Sequence, residues 1–313
     1  NLTAPSVNAS NLIVLDVSNA GTVGAVSGLA GLTKSGAGVV TLNAVNTYTG
    51  DTRVNAGTLV VAEASQLGSG SYGGNISLVA NSGFNYDSSA AQILSGVISG
   101  TGTLTKAQLS TLTLSAANTF NGDIAVTGGA LNIDTAGELG GGSYAGAISL
   151  NLGTLFDYKS GVDHSFSGIL SGAGNVTQRG TSNLTLTAAN TNAGLTSINS
   201  GMLTLGANNA LADTSTLAIS AGTFDLGSYS DTVAGVALTG GAITNGTLTS
   251  TATFDVQAGS TSSSAVLAGS AGLTKSGSGT VTLNGTNTYT GLTSLTDGTL
   301  ALGANNVLAD TST

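Results

Sequence analysis

The chain has no cysteine, no tryptophan and a single proline among its 313 residues, and only 7% of its residues are charged. The absence of cysteine fits either a reducing cytosol or export through an oxidising periplasm and a narrow outer-membrane pore, where a disulfide loop would obstruct passage. Six Lys and Arg residues oppose fifteen Asp and Glu residues, for a formal net charge of −9. Because no basic cluster exists, the sequence excludes binding to nucleic acid or anionic lipid through a positively charged stripe.

Long apolar runs are missing as well. No stretch of about 18 apolar residues occurs, so the sequence predicts no membrane span, and the N-terminal residues lack the charged and apolar regions of a signal peptide. What is present is 48 glycines and a hydrophobic content of 40%. High apolar content with little charge argues against disorder. We therefore predict an ordered, all-β chain whose exterior is made polar by Ser, Thr and Asn.

One pattern of 31 residues occurs four times, at 31–61, 103–133, 175–205 and 272–302, with starts 72, 72 and 97 residues apart. A repeat of this kind predicts a solenoid, in which each unit buries its apolar face against its neighbours. If 72 residues make three coils and 97 make about four, each coil takes about 24 residues, which suits a three-sided parallel β-helix of about 13 coils. We predict a single β-helical array over 1–313. Because the last copy stops in mid-period, we expect it to be a fragment of a longer chain.

Each copy contains two pairs of apolar residues that are two positions apart. In the first copy these pairs are Val40 with Leu42 and Leu59 with Val61. A period of two predicts strands with one buried face. We expect the second residue of the first pair to face inward and the threonine between the pair to face outward. The inward residues are Leu42, Leu114, Leu186 and Leu283, and the outward residues are Thr41, Thr113, Thr185 and Thr282.

Glycine and asparagine mark the corners between these strands. Glycine in every copy of a corner predicts a turn that needs positive φ. At another corner an Asn-Thr pair recurs, and we interpret its asparagines as a turn ladder, in which stacked side chains hydrogen-bond along the solenoid axis and tolerate left-handed backbone. Three copies have an aromatic residue two positions later, which predicts either a stack over the core or a carbohydrate-stacking surface. The glycines are Gly50, Gly122, Gly194, Gly291, Gly57, Gly129, Gly201 and Gly298, the asparagines are Asn46, Asn118, Asn190 and Asn287, and the aromatics are Tyr48, Phe120 and Tyr289.

The string G-L-T-K-x-G-x-G-x-V-T-L-N-x-x-N-T-Y-T-G stands at 31–50 and at 272–291. It closely resembles the autotransporter-associated β-strand repeat, the passenger-associated repeat of type V secreted proteins of Gram-negative bacteria. The second copy departs from it at Gln108 and Ser110, and the third at Asn192. The resemblance implies a right-handed parallel β-helix exposed on the cell surface and carried across the outer membrane by a C-terminal β-barrel. It also implies a repeat that assists secretion and folding and is not itself catalytic.

Titratable side chains are concentrated in one region, which contains Asp157, Lys159, Asp163, His164 and Arg179. Some β-helical polysaccharide lyases and hydrolases use Asp, Lys and Arg, but we interpret this group as a solvated loop and predict that it is not catalytic. The motifs of serine hydrolases, metalloproteases, phosphate-binding loops and dinucleotide-binding folds are absent. We expect no enzyme activity, no cofactor and no metal in this segment.

The sequence thus predicts a structural protein, namely the β-helical stalk of an autotransporter-like adhesin or surface fibre. It would be displayed on, or released from, a Gram-negative cell after export through the outer membrane. Two alternatives remain: a self-assembling extracellular filament, and the scaffold of a passenger esterase, protease or polysaccharide-active enzyme whose active module lies elsewhere. The expected partners are β-helical neighbours stacked end to end, from its own chain or further copies, and host-cell or surface glycans or proteins. We expect neither nucleic-acid binding nor direct membrane insertion.

Overall fold

A computed structural model of the chain describes residues 2–8, 12–261 and 264–309. These residues form strands and loops, and the helices among them are two single 3₁₀ turns at Gly68–Gly70 and Gly140–Gly142. The all-β prediction is therefore confirmed. By its contacts the chain divides into two compact units, unit 1 at Asn1–Val162 and unit 2 at Asp163–Thr313. We describe each unit separately.

The described residues of unit 1 form nineteen strands. They are β1 (Leu2–Asn8), β2 (Ile13–Leu15), β3 (Ala20–Ser27), β4 (Leu32–Lys34), β5 (Val39–Leu42), β6 (Thr52–Val54), β7 (Gly57–Glu63), β8 (Ser71–Tyr72), β9 (Ile76–Leu78), β10 (Ser82–Ser88), β11 (Gln92–Leu94), β12 (Ile98–Gly100), β13 (Thr103–Lys106), β14 (Thr111–Leu114), β15 (Ile124–Val126), β16 (Ala130–Ile133), β17 (Ser143–Tyr144), β18 (Ile148–Leu150) and β19 (Leu155–Tyr158).

In unit 2, the part of the chain that the structure describes forms the nineteen strands that follow. They are β20 (His164–Phe166), β21 (Leu170–Gly172), β22 (Asn175–Gln178), β23 (Asn183–Leu186), β24 (Leu195–Ile198), β25 (Met202–Leu205), β26 (Thr216–Ile219), β27 (Thr223–Asp225), β28 (Ser230–Val233), β29 (Gly235–Leu238), β30 (Ala242–Thr244), β31 (Thr247–Ser250), β32 (Phe254–Val256), β33 (Gly259–Thr261), β34 (Val266–Ala268), β35 (Leu273–Lys275), β36 (Thr280–Leu283), β37 (Thr293–Leu295) and β38 (Thr299–Leu302).

The strands of unit 1 pair in parallel along three runs, which are the three sides of a β-solenoid. Sheet I runs β2-β4-β6-β9-β12, sheet II runs β1-β3-β5-β7-β10-β13-β15-β18, and sheet III runs β8-β11-β14-β16-β19. The chain passes from β9 in sheet I through β10 and β11 back to sheet I at β12, where Ile98 pairs with Ile76. The predicted three-sided parallel solenoid is therefore confirmed in this unit.

Unit 2 is also a parallel solenoid with three sides. Sheet IV runs β22-β24-β26-β29-β32-β35-β37. Sheet V runs β20-β23-β25-β27-β30-β33-β36-β38. Sheet VI is the shorter run β28-β31-β34. In both units each pair of strands belongs to successive coils, so the backbone bonds run along the solenoid and not across it.

The predicted length of about 24 residues per coil is wrong for most coils. On sheet II, Val40 pairs with Leu59, Leu59 with Phe84, and Phe84 with Leu104, which gives coils of 19, 25 and 20 residues. Three coils therefore end at Leu104, and the equivalent of Val40 in the second copy, Leu112, lies on the next side, in sheet III. The 72-residue period is three coils plus one side, and this remainder is invisible in the spacing of the copies.

The prediction of about four coils in the 97-residue period of unit 2 is also wrong. On sheet IV the ladder of paired residues passes from Thr177 through Ser197, Ala218, Ala237 and Asp255 to Thr274. Five coils, and not four, therefore separate the equivalent residues Thr177 and Thr274, which leaves the third and fourth copies on the same side. A typical coil takes about 20 residues.

The core lies inside each solenoid and is built from alternate residues along most strands. Leu42, Leu114, Leu186 and Leu283 are all buried, whereas the threonine that precedes each of them is partly exposed. The predicted inward and outward faces are therefore confirmed. Burying these aliphatic rows against the coils before and after is the main stabilisation that the fold offers.

Candidate functional site

The corner that the four copies share is built around one asparagine that joins three coils. Asn46 follows β5 and is fully buried. Its Oδ1 accepts a hydrogen bond from Val26 N at 2.9 Å, one coil earlier, and its Nδ2 donates to Gln66 O at 3.1 Å, one coil later. The same Nδ2 also donates to Ala44 O at 2.7 Å within its own coil. A single buried amide is thus satisfied by the main chain of three successive coils, and we call this arrangement an asparagine tie.

The other three asparagines make the same two contacts with the coils before and after them. In unit 1, Asn118 accepts from Ile98 N at 2.7 Å and donates to Glu138 O at 2.9 Å. In unit 2, Asn190 accepts from Leu170 N at 2.7 Å and donates to Ala210 O at 2.6 Å, and Asn287 accepts from Leu267 N at 2.8 Å and donates to Val307 O at 3.0 Å.

These ties differ from the predicted ladder in two respects. The asparagines bind main-chain atoms of neighbouring coils and do not stack on one another, because copies are several coils apart. None of the four is among the residues with positive φ. Asparagine is required here for its combination of one acceptor and two donors, and not for its tolerance of left-handed backbone.

The two glycines of each copy have different reasons to be glycine. Gly57, Gly129, Gly201 and Gly298 have φ between 64° and 69°, the left-handed conformation that the turn interpretation requires. The other set has no positive φ. At Gly50, a Cβ would lie against the carbonyl of Ala30 in the preceding coil, and at Gly122 it would collide with Gly102 O. Gly194 and Gly291 face the same obstacle. Coil-to-coil approach, and not φ, excludes a side chain at this corner.

Sequence reasoning missed three buried lysines. Lys34, Lys106 and Lys275 are each completely buried, although lysine is almost never found inside a protein without partners. Lys275 Nζ donates to Ser276 O at 2.7 Å, Gly277 O at 2.6 Å and Asp297 O at 3.1 Å. Lys106 Nζ donates to Ala107 O, to Gln108 O at 3.1 Å and to Gly128 O at 3.2 Å. Lys34 Nζ donates to Gly36 O and to Ala56 O at 3.1 Å.

The acceptors follow one rule. For each lysine, one or two acceptors belong to the turn that follows it, and one belongs to the next coil. The acceptor in the next coil is the residue directly before the positive-φ glycine, which is Ala56 for Lys34, Gly128 for Lys106 and Asp297 for Lys275. The ammonium group therefore fastens two successive turns through their carbonyl oxygens. Burial lowers the pKa of Lys106 to about 8, against the opposing effect of Asp87, and lowers the pKa of Lys34 for the same reason, against that of Asp16.

The third copy replaces this lysine by Gln178, which is also buried. Its Nε2 donates to Ser182 O at 2.8 Å and Gly180 O at 3.4 Å, while its Oε1 is buried without a hydrogen-bond partner. An amide has fewer hydrogens to donate than an ammonium and brings an acceptor that carbonyls cannot satisfy. Each copy therefore has a buried donor at this point, and the third has a poorer one.

The aromatic residues of the repeat are internal. Tyr48, Phe120 and Tyr289 are fully buried, so the alternative of a carbohydrate-stacking surface is wrong for them. Tyr48 Oη and Thr52 Oγ1 are 2.6 Å apart, and Thr52 Oγ1 is 2.7 Å from Tyr72 Oη. Burial raises the pKa of Tyr72 to about 12, which fits a hydroxyl that acts only in a buried hydrogen-bond chain.

Where the third copy has Asn192, the ring is replaced by a small cavity of about 10 Å³. Asn192 Nδ2 donates to Gly174 O at 2.9 Å, and its Oδ1 is buried without a partner. Thr196 lines the same cavity. It follows Asn192 by four residues, as Thr52 follows Tyr48 and Thr293 follows Tyr289. The third copy therefore contains two buried polar defects that the other copies do not.

The titratable group predicted to be a solvated loop is placed differently by the structure. Asp157 is a buried residue of β19, and its Oδ2 is 3.3 Å from Lys159 Nζ. His164 is a buried residue of β20, with its ring 5.9 Å from that of Phe166. The loop interpretation is wrong for Asp157 and His164. Both lie outside the repeat copies, where the sequence shows no period of two that would indicate an inward strand position.

Asp163 and Arg179 are exposed, and Asp163 Oδ1 accepts from Asn183 N at 2.8 Å. Asp157 and Lys159 belong to unit 1, whereas the other three residues belong to unit 2. Over the described ranges, His, Cys, Asp and Glu side chains do not gather in threes as metal ligands would. The described residues also include no helix with the length and apolarity needed to cross a membrane.

The four segments that contain the asparagine ties match a known family of repeats. Residues 32–61, 104–133, 176–205 and 273–302 match the passenger-associated-transport-repeat family. The chain is 33% identical over 356 aligned positions to the adhesin BmaC autotransporter of Brucella suis biovar 1 (strain 1330), in an alignment that covers 91% of this chain. The chain spans about a tenth of the length of that relative. No solved structure matches it significantly. The chain therefore contains four passenger-associated-transport repeats and is similar over most of its length to part of an autotransporter adhesin.

Proposed function

We propose that this chain is a structural stalk of a surface-displayed, adhesin-like autotransporter and that it carries no catalysis. The observation that supports this proposal most directly is the pattern of bonding, in which parallel ladders join successive coils and the repeats add asparagine ties and buried lysines between them. Such a stack extends by repetition and needs no distant contacts. The passenger-associated-transport repeats and the similarity to an autotransporter support export and display on a Gram-negative cell, and the similarity to an adhesin supports a role of the whole protein in attachment.

The register of sheet IV provides a direct test. Deleting residues 177–273 removes five whole coils and joins Val176 to Thr274, so the ladder of paired residues can close again. At about 4.8 Å per coil, the solenoid of unit 2 should become shorter by about 24 Å and keep its folded β signal. The measurements are the maximum dimension from small-angle X-ray scattering and the far-ultraviolet circular dichroism.

The matched control is a deletion of residues 177–283, which begins at the same point but removes a fraction of a coil as well. It should misfold, because the strands that follow would meet the wrong sides. If both deletions fold equally well, or if the first does not shorten the particle, the stalk proposal is wrong. Turnover of a glycoside, ester or peptide substrate that His164→Ala or Asp163→Asn abolishes would contradict the absence of catalysis.

We further propose that the coil formed by β37 and β38 stacks on another β-coil, either of the same chain or of a further copy. Its inward residues Leu295 and Leu302 are 57% and 52% exposed, whereas their counterparts in the first copy, Val54 and Val61, are fully buried. A neighbouring coil would cover these side chains and pair the open strand edges with the same parallel ladder used inside the protein. This observation favours end-to-end assembly as the second candidate function.

Sedimentation velocity at several protein concentrations tests this assembly. Association that rises with concentration and is lost in the double variant Leu295→Ser, Leu302→Ser would support it. The control is Leu109→Ser, which changes a leucine that is 91% exposed on a corner of unit 1, away from β37 and β38. A monomer at every concentration, with the amides of β37 and β38 protected from hydrogen exchange, would refute it.

A further inference from the structure

Asp231 occupies a place in unit 2 that resembles an asparagine tie. It lies in β28, is 1% exposed, and its Oδ2 accepts a hydrogen bond from Leu211 N at 2.9 Å. Leu211 stands 20 positions earlier, one coil below. Asn190 Oδ1 accepts from Leu170 N across the same separation of 20 positions. One side-chain oxygen of Asp231 therefore does what Oδ1 of the asparagine does.

The second terminal atom distinguishes the two side chains. In Asn190 it is Nδ2, which donates to Ala188 O at 3.2 Å and Ala210 O at 2.6 Å. In Asp231 it is Oδ1, which is buried and has no hydrogen-bond partner. An ionised carboxylate has no hydrogen to donate, whereas a protonated one has a single O–H. Only the protonated form of Asp231 can reproduce the donor half of the tie.

The surroundings of Asp231 contain no compensating positive charge. In the preceding coil the charged neighbour is Asp213, which disfavours a second negative charge. On the other side, β31 (Thr247–Ser250) pairs with β28 and contributes Thr, Leu and Ser. Tyr229, which precedes β28, is the neighbouring phenol. Burial raises the pKa of Asp231 to about 6, partly offset by backbone hydrogen bonds from Leu211, Ala210 and Thr232, and Asp213 raises it further.

We propose that Asp231 is a proton-dependent tie, which fastens its coil to the preceding one when the carboxyl is protonated and loosens that contact when it ionises. The sign follows from linkage: a carboxyl whose folded-state pKa is raised contributes stability that is fully present below its unfolded pKa of about 4 and is lost as the pH rises through about 6. The coils around Leu211 and Asp231 are thus held more firmly in mildly acidic surroundings than at neutral pH.

Amide hydrogen exchange on the whole chain tests the proposal at the bond itself. The protection factor of the Leu211 amide, corrected for the intrinsic effect of pH, should fall by roughly thirtyfold between pH 4.5 and pH 7.5 in the natural sequence, from the separation of the two pKa values. In Asp231→Asn, which fixes the donor at every pH, the change should be less than threefold. Asp213→Asn is the control, since it removes the neighbouring charge and should leave the dependence in place at a slightly lower pH.

The reciprocal variant installs the device elsewhere. Asn190→Asp should make the protection of the Leu170 amide depend on pH in the same direction, because Leu170 N donates to this side chain. The carboxyl carbon of Asp231, observed by NMR in the natural sequence, should titrate near pH 6. A titration midpoint below pH 4.5, or an equal pH dependence in the natural sequence and Asp231→Asn, overturns the proposal.

Discussion

Replacing Lys106 by methionine removes the ammonium from the corner of the second copy and keeps a side chain of similar length. Three carbonyl oxygens, those of Ala107, Gln108 and Gly128, would lose the donor that they now share. Methionine is flexible and apolar enough to fill the same space. The variant therefore tests the hydrogen bonds of the lysine with little disturbance of packing.

We expect the free energy of unfolding of unit 1 to fall by about 3 kcal/mol. A hydrogen bond to a charged group contributes about 1.5 to 3 kcal/mol net, and each buried acceptor left without a partner costs about 1 to 3 kcal/mol. The desolvation of the ammonium is recovered on its removal and offsets part of this loss. Lys106→Gln should lose roughly half as much, since the corresponding Gln178 donates to Gly180 O and Ser182 O but has an unsatisfied Oε1.

The assay is urea unfolding of the whole chain, followed by hydrogen exchange of unit 1 amides so that unit 1 is observed directly. Arg53→Met is the control, because Arg53 is exposed and its hydrogen bond to Asn55 Oδ1 lies at the surface. It should change stability by less than about 0.5 kcal/mol. If Lys106→Met is as stable as Arg53→Met, the buried lysine is only tolerated and the reasoning fails.

Two further substitutions follow from the defects and the turns. Asn192→Tyr should destabilise unit 2 by about 1 to 3 kcal/mol in urea unfolding, because the cavity of about 10 Å³ beside Asn192 has room for about one water and not for the additional atoms of a phenol; a gain in stability would show that the corner opens to admit the ring and lets its hydroxyl bond Thr196, as that of Tyr289 bonds Thr293 at 2.9 Å. Gly129→Ala should destabilise unit 1 by more than 2 kcal/mol in urea unfolding, since φ is 65° and a Cβ would meet the main chain, whereas Gly141→Ala, at φ 62° with open space around it, should cost only about 1 kcal/mol.

The strands and the inward leucines could be predicted from sequence because a period of two fixes which face is buried. The buried lysines could have been found by the same logic. Lys34 stands two residues after the inward Leu32 on one strand, so it must point inward too. Lysine is normally exposed, so its general preference predicts an outward side chain where the local period of two predicts an inward one.

Other features left no signal in the sequence. The number of coils in a period depends on the lengths of the coils, which vary from 17 residues between Ser230 and Thr247 to 25 residues between Leu59 and Phe84. A spacing of 72 therefore does not reveal that three coils and one side are contained in it. Asp231 lies outside the repeats, and only the register of its coil shows that it is placed like an asparagine tie.

The first and second copies of the repeat begin on different sides of the unit 1 solenoid, and this shift explains why the repeat contacts main-chain groups. In unit 1 the first copy places its opening strands, β4 and β5, in sheets I and II, whereas the second places β13 and β14 in sheets II and III. The asparagine and lysine contacts are nevertheless the same in both copies. This is possible because every tie binds main-chain N–H and C=O groups, which all three sides of a parallel solenoid present alike. A repeat of this kind can therefore fasten the coils wherever it falls, and spacers of different length between copies are compatible with one continuous ladder in each unit.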